Sequence, residues 1–424
     1  MNKILTKTKN CIITTGFLIT CLSGFAQDQC KPVGWADYSG TTTGGGNATP
    51  VTATTYDELK TALTSASVKV VYIKGVIVIP SGGRITIQDQ TGKSVIGLPG
   101  SRLTSSDQAK SSSGIMYIKG SSNVILRNIV FQGPGSKDVD GYDNLTIEGG
   151  NHLWVDHCDF IDGLDGNFDI KRQANYVAVT WCKFSYTSKS SGHQFSNLIG
   201  HDDAFTEDKG FLKITFQYNW WADGVVERMP RIRFGQVHVV NNYFSSTKAD
   251  YNIAPGVGAD VRVENNLFGY STTYVDLDKA DGNTKVTSTG NSPNVTTSKG
   301  TAFTPPYTLQ KAAASAVKSL VTSSCGAGAT IGGSCGCVTL INGINETDYE
   351  GAVSPDAYPN PFTENIKLIG KGLFNYTIYT VLGTEVSNGF AVGETMVGKE
   401  LPKGIYLVKL NYGDTSRVIK IEKN

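Results

Sequence analysis

Three aspartates stand at spacings that could gather carboxylates along one edge of a folded chain. Asp156 lies in Trp154-Val-Asp-His-Cys158, and Asp165 and Asp169 follow in Asp165-Gly-Asn-Phe-Asp169, nine and then four residues on. Where the end of one strand lies beside the start of the next, carboxylates at these offsets converge. Three hard oxygen donors with no Cys or His among them suit Ca2+ rather than Zn2+; the plainer alternative is that Asp-Gly pairs simply make turns. A second group follows in Arg228-Met-Pro-Arg231-Ile-Arg233-Phe-Gly235. Strand alternation puts Arg231 and Arg233 on one face, while Arg228 precedes a proline that stiffens the chain. Clustered guanidinium groups match an anionic ligand with repeated carboxylates, unless they are solvated surface charges. All five His and four of the five Trp residues fall between 152 and 238, which marks this stretch as the place for a site.

What must position these residues is a repeat. Six segments beginning at Val124, Leu153, Val177, Ile214, Val237 and Val261 align without gaps, each ending in Phe or Trp, with starts 29, 24, 37, 23 and 24 residues apart. A period near 24 with strand-like alternation is the signature of a solenoid, and its insertions become loops on one face. The first, third and eighth positions are apolar and point inward. The sixth column, Ile129, Cys158, Cys182, Asn219, Asn242 and Asn266, forms a ladder at a bend, where stacked amides can bond from coil to coil. These features predict a right-handed parallel β-helix; a β-propeller needs about 40 residues per blade. Thr55-Tyr-Asp-Glu58 reads as a capping box opening a short amphipathic helix that closes the end of the solenoid.

The remaining segments bound the function. Of 424 residues, 38 are Lys or Arg and 37 Asp or Glu, so no net field selects nucleic acid or an anionic membrane. Charged residues make up 18% and glycines number 48, a balance of turns and β structure. Residues 1–26 carry the basic, apolar and small-residue parts of a signal peptide, so export is expected. Lipidation at Cys21 and structural zinc at Cys335 and Cys337 are the weaker alternatives. Six cysteines remain after export: Cys30, Cys158, Cys182, Cys325, Cys335 and Cys337. Their even number favours disulfides, and Cys158 with Cys182, one period apart in the same column, is the expected pair. The solenoid is expected over 27–321, a Cys/Gly-rich linker over 322–354, and a small antiparallel β-sandwich over 355–424.

Two resemblances sharpen these expectations. Tyr358-Pro-Asn-Pro-Phe362 and Leu401-Pro-Lys-Gly-Ile-Tyr-Leu-Val408 resemble the C-terminal sorting domains of the type IX secretion pathway, which implies release to the cell surface or medium after passage through the periplasm. Residues 30–320 resemble the pectate lyases of polysaccharide lyase family one. The matching elements are Gly34-Trp-Ala36, Gly40-Thr-Thr-Thr-Gly-Gly-Gly46, Trp-Val-Asp-His-Cys, Asp165-Gly-Asn-Phe-Asp-Ile170, Asn197-Leu-Ile-Gly-His-Asp-Asp203 and the arginine segment leading into Val237-His-Val-Val-Asn-Asn242. This resemblance implies cleavage of α-1,4-galacturonan by β-elimination with Ca2+ as cofactor and Asp156, Asp165 and Asp169 as its ligands. It also implies Arg228 as catalytic base, although arginine ordinarily keeps its proton to a pH above about 12, and Arg233 as a substrate clamp. Arg231 and Lys189 are added as substrate-binding residues. Lys189 is the nearest basic residue to a place where the family often carries a lysine and this chain reads Gly192-His-Gln-Phe-Ser196. Pectin or polygalacturonate is the expected partner, and a monomer the expected state. The alternatives are a pectin lyase, a polygalacturonase-type hydrolase using Asp202 and Asp203, and a non-catalytic pectin-binding solenoid.

Overall fold

The computed structural model describes residues 31–270, 273–331, 356–381, 384–412 and 415–424. The expected signal peptide, most of the expected linker, and Cys30, Cys335 and Cys337 lie outside the described residues.

Each coil of the solenoid contributes one short strand to each of three parallel sheets. In one coil these are Asn151–Asp156, Asp159–Ile161 and Phe168–Lys171. Stacked coils build a ten-stranded, an eight-stranded and a seven-stranded sheet, with parallel pairing throughout. The chain is therefore a parallel β-helix, as its period predicts. The six aligned segments are in register: Val124, Leu153, Val177, Ile214, Val237 and Val261 are successive partners in the ten-stranded sheet.

Alternation sends the apolar columns inward, where they meet in one continuous core. The eighth column stacks Phe131, Phe160, Phe184, Trp221, Phe244 and Phe268 with ring centroids 5.0, 5.2, 5.4, 4.8 and 4.7 Å apart. The sixth column makes the expected ladder. Asn219, Asn242 and Asn266 each donate Nδ2 to the next amide oxygen at 3.0, 3.0 and 3.1 Å, ending on Asn291. Each amide oxygen also accepts a backbone N–H from the coil before it. The bend is made one residue earlier. Asn128, His157, Trp181, Tyr218, Asn241 and Asn265, the fifth column, all have φ between 47° and 58°.

The expected Cys158–Cys182 disulfide is absent, and both residues are free, buried thiols. Parallel stacking points the two side chains the same way into the core. Each Sγ donates to main-chain carbonyls instead, Cys158 to Asp156 at 3.4 Å and Cys182 to Thr180 at 3.3 Å.

The end of the solenoid is closed by the helix Tyr56–Thr64, which has the capping box between Thr55 and Glu58 and buries Leu59, Ala62 and Leu63. Its last turn is tied down by buried Lys93, whose Nζ donates to the carbonyls of Ala62, Ser65 and Val68 at 3.1, 2.9 and 2.7 Å. After the last coil the chain turns back along the fifth-column bend. Ala312 accepts from Asn241 and Asn265, Gly328 N–H bonds Trp181, Ala329 N–H bonds Asp159, and Ile331 exchanges two hydrogen bonds with Asn128. Residues 322–331, expected to begin the linker, thus belong to the solenoid. The tail 356–424 is antiparallel: Asp356–Tyr358, Ile366–Thr380, Glu385–Val397, Gly404–Tyr412 and Thr415–Lys423 form one five-stranded sheet over its own core of Phe362, Ile366, Leu368, Phe374, Val408 and Leu410. No helix among the described residues is long and apolar enough to cross a membrane.

Candidate active site

The chemistry-bearing residues gather on the outer face of the seven-stranded sheet. Inward positions along it are Ile118, Ile147, Ile170, Ile199 and Ile232. The residues on either side of that column therefore point out. One outward column runs Tyr117, Thr146, Asp169, Leu198 and Arg231 over successive coils; a second carries Lys119, Glu148 and Lys171, followed by Arg233 near Gly200.

Asp165 and Asp169 meet here, but Asp156 does not join them. It belongs to the ten-stranded sheet, is fully buried, and lies in register between Arg127 and Thr180. Its carboxylate is paired with Arg127 Nε at 2.8 Å and His157 Nδ1 at 2.7 Å and accepts from Thr180 Oγ1 at 2.6 Å. Burial opposes ionisation of Asp156, yet His157 and Arg127 outweigh it and hold the carboxyl below its ordinary value. Asp156 is a structural charge inside the solenoid wall.

The third carboxylate at the site is Asp143. The coil offset that pairs Leu145 with Phe168 brings Asp143 beside Gly166, between Asp165 and Asn167, and a Cβ on Gly166 would stand 2.7 Å from Asp143 Oδ1. Burial, and then the charges of Asp169 and Asp165, push Asp143 well above the usual carboxylate value. Burial also raises Asp169, against the opposing charges of Lys171 and Arg228. Burial alone would lower the Lys171 ammonium, but Asp169, Asp143, Glu148 and Asp165 together raise it. Each carboxylate has a local partner: Thr146 Oγ1 to Asp143 at 2.8 Å, His193 Nε2 to Asp165 at 3.1 Å, and Leu198 N–H to Asp169 at 2.9 Å. Among the described residues no three His, Cys, Asp or Glu side chains are closed around one point as a metal centre requires. The donor set nonetheless fits a hard divalent cation, because Asp143, Asp165 and Asp169 offer carboxylate oxygens and Asp143 is raised by burial and then by the charges of the other two.

Arg228 borders this cluster. Its backbone sits in the left-handed region at φ 59°, and its guanidinium lies over the Phe195 ring, 4.3 Å from the centroid. It has no acidic partner among the described residues. Arg231 is half-buried, and burial followed by the charges of Arg233 and Arg228 holds it below the ordinary arginine value. Arg233 is bonded to Asp203 through Nε and to the Gly200 carbonyl through Nη1. That bond occupies Asp203, while Asp202 caps a turn through the Ala204 N–H, so the two do not stand as a free pair of carboxylates. Lys189 is not brought to the cluster: it is exposed on the turn 187–190 and its backbone lies against Gly135. The place expected for a lysine is filled by His193, on Asp165, and Phe195, beneath Arg228.

Residues 6–330 match the family model described as pectate lyase. The chain belongs to the pectate lyase family. Residues 356–424 match the model of a secretion system C-terminal sorting domain. A pectate trisaccharide-lyase of Thermotoga maritima is 34% identical over 228 residues, covering 51% of this chain and 57% of that protein, so the match spans somewhat more than half of that relative's length. A pectate trisaccharide-lyase of Bacillus licheniformis is 31% identical over 317 residues, 70% of this chain and 86% of its own length. In fold, the chain resembles a pectate lyase from Paenibacillus sp. 0602, with a TM-score of 0.61 at 18% identity over 72% of this chain and 97% of that one. A pectate lyase bound to hexasaccharide superposes with a TM-score of 0.56 at 24% identity over 70% and 96%. Within this family member, sequence reasoning missed Asp143, Lys171, His193 and Phe195. The signal for Asp143 was the coil period itself, which sets Tyr142-Asp143-Asn144 alongside Asp165-Gly-Asn167.

Proposed function

We propose that the protein is a secreted, calcium-dependent pectate lyase that cleaves α-1,4-linked polygalacturonate by β-elimination. The observation that carries this is the crowding of Asp143, Asp165 and Asp169 beside Arg228, a cation without an acidic partner among the described residues. Asp143, Asp165 and Asp169 would hold Ca2+, which when bound draws charge from the substrate carboxylate and makes the adjacent C5 proton easier to remove. Arg231 and Arg233 bind and orient uronate carboxylates along the outer face of the sheet. Phe195 fixes the direction of Arg228. In its neutral form Arg228 accepts the C5 proton on a guanidine nitrogen. The C5–H electron pair becomes the C4–C5 double bond, the C4–O bond breaks, and the departing oxygen takes a proton from water. Burial, and then the charges of Arg233 and Arg228, lower the affinity of Arg231 for its proton. The C-terminal unit supports delivery by type IX secretion to the cell surface or medium, and the catalytic unit is proposed to act as a monomer.

Digestion of polygalacturonate tests this directly. A 4,5-unsaturated product absorbing in the ultraviolet is expected, lost with chelator and restored by calcium. Saturated reducing ends undiminished by chelator would mean a hydrolase, and bound but uncleaved polymer would mean a binding protein.

A further inference from the structure

Beyond the acidic cluster, the same outer face carries an arginine with no partner for its hydrogen-bond donors. Arg84 directly precedes the strand Ile85–Gln88, the first of the seven-stranded sheet. Its guanidinium lies over two rings, 3.6 Å from the centroid of Tyr142 and 4.7 Å from that of Tyr117. Four other arginines near or within the sheets find carboxylates: Arg127 pairs with Asp156, Arg172 with Glu148, Arg233 with Asp203 and Arg262 with Glu264. Arg84 has no hydrogen bond or ion pair among the described residues. The stacking is built into the backbone. Gly114, at φ +88°, has no room for a side chain, since a Cβ there would stand 2.8 Å from Tyr142 Cβ and 2.9 Å from Arg84 Cδ.

Stacking on aromatic rings holds a guanidinium in place while leaving its N–H groups available to bond in their own plane. Tyr142, which carries it, is 37% exposed and is followed directly by Asp143 of the acidic cluster. Three coil steps separate the Arg84 strand from the strand bearing Asp169, roughly 14 Å at ~4.8 Å per step. A polyanion lying along the sheet would meet Arg84 on one side of the carboxylates and Arg231 and Arg233 on the other.

We propose that Arg84, presented by Tyr117, Tyr142 and Gly114, is a distal subsite that binds a carboxylate of a uronate chain already held at the acidic cluster, so that affinity rises for chains long enough to span both. This rests on the function proposed above. The experiment is calorimetric titration of trigalacturonate and hexagalacturonate, in calcium buffer, into full-length protein made non-cleaving by Arg228→Lys, with and without Arg84→Ala. Arg84→Ala is expected to weaken hexamer binding about tenfold, roughly one charge-assisted bidentate contact, and to leave trimer binding within about twofold. Tyr142→Ala should weaken the hexamer in the same direction and serves if Arg84→Ala does not fold. Unchanged hexamer affinity, an equal loss for both lengths, or no binding of either oligomer overturns the subsite. The lyase assignment is read separately, from unsaturated product released by the wild-type protein, so a subsite that binds in a protein that does not eliminate would refute only that assignment.

Discussion

Asp143 and Asp156 carry opposite consequences for mutation, because one borders open carboxylates and the other neutralises a buried arginine. Asp156→Asn should remove the charge paired with buried Arg127 inside the wall and cost about 3–5 kcal/mol, seen as a large fall in melting temperature with calcium affinity intact in what remains folded. Asp143→Asn should weaken calcium binding by about tenfold or more with little loss of fold. The reverse pattern, in melting curves and calcium titrations, would return Asp156 to the site. The raised Asp143 carboxyl also has a sign. Between its unfolded value, near 3.8, and its higher folded value, the native state holds a proton that the unfolded chain has released, so its contribution to stability falls as pH rises through that window. In chelator, thermal unfolding of Asp143→Asn should lack this decline. For the arginines, Arg228→Lys should lower kcat by about 10²–10⁴ with KM little changed, whereas Arg233→Ala should act mainly on KM. Similar small effects from both would make them surface charges. The motif around Asp156 was conspicuous because Trp154 and His157 flank it, yet the fourth column of the repeat already set Arg127 beside Asp156. Charge read down that column separates a structural aspartate from a ligand.

At the scale of the coil, the period, the inward columns and the asparagine ladder were all legible, since each depends on residues recurring about every 24 positions. The left-handed fifth column was not. Asn and His occupy such backbone more readily than other side chains, but Trp181 and Tyr218 do not advertise it. What holds them there is stacking outside the wall, with ring centroids 5.7 and 4.4 Å apart. The cysteines misled for a related reason: the column was right, but adjacency along a parallel ladder does not turn two Cβ vectors toward each other. The ladder itself gives a sharp test. Asn242→Leu removes the acceptor for both the Asn219 backbone N–H and its Nδ2. Two orphaned buried donors cost about 2–6 kcal/mol, so the melting temperature should fall and amide exchange should quicken at Asn219 and its neighbours. Protection equal to wild type there would show that the ladder contributes no stability.

For the whole molecule, composition marked the expected linker at 322, but the chain remains bonded to the solenoid through Ile331. Gly and Ser enrichment signals an absence of regular structure, and a strap laid along a bend needs none, because Asn128, Asp159 and Trp181 satisfy its backbone. A chain ending at 331 should therefore melt like the full-length solenoid and keep its activity, whereas one ending at 321 should melt lower. Equal melting would make 322–331 dispensable. Loss of 356–424 should abolish release from the producing cell without changing turnover. The strap also leaves one side of the solenoid clear. It runs back along the bend between the ten-stranded and eight-stranded sheets and ends at Asn128, while the arginines and carboxylates occupy the third side of the prism. The strap's bonds to Asn128, Asp159 and Trp181 therefore lie away from the sheet that carries Asp143, Asp165 and Asp169.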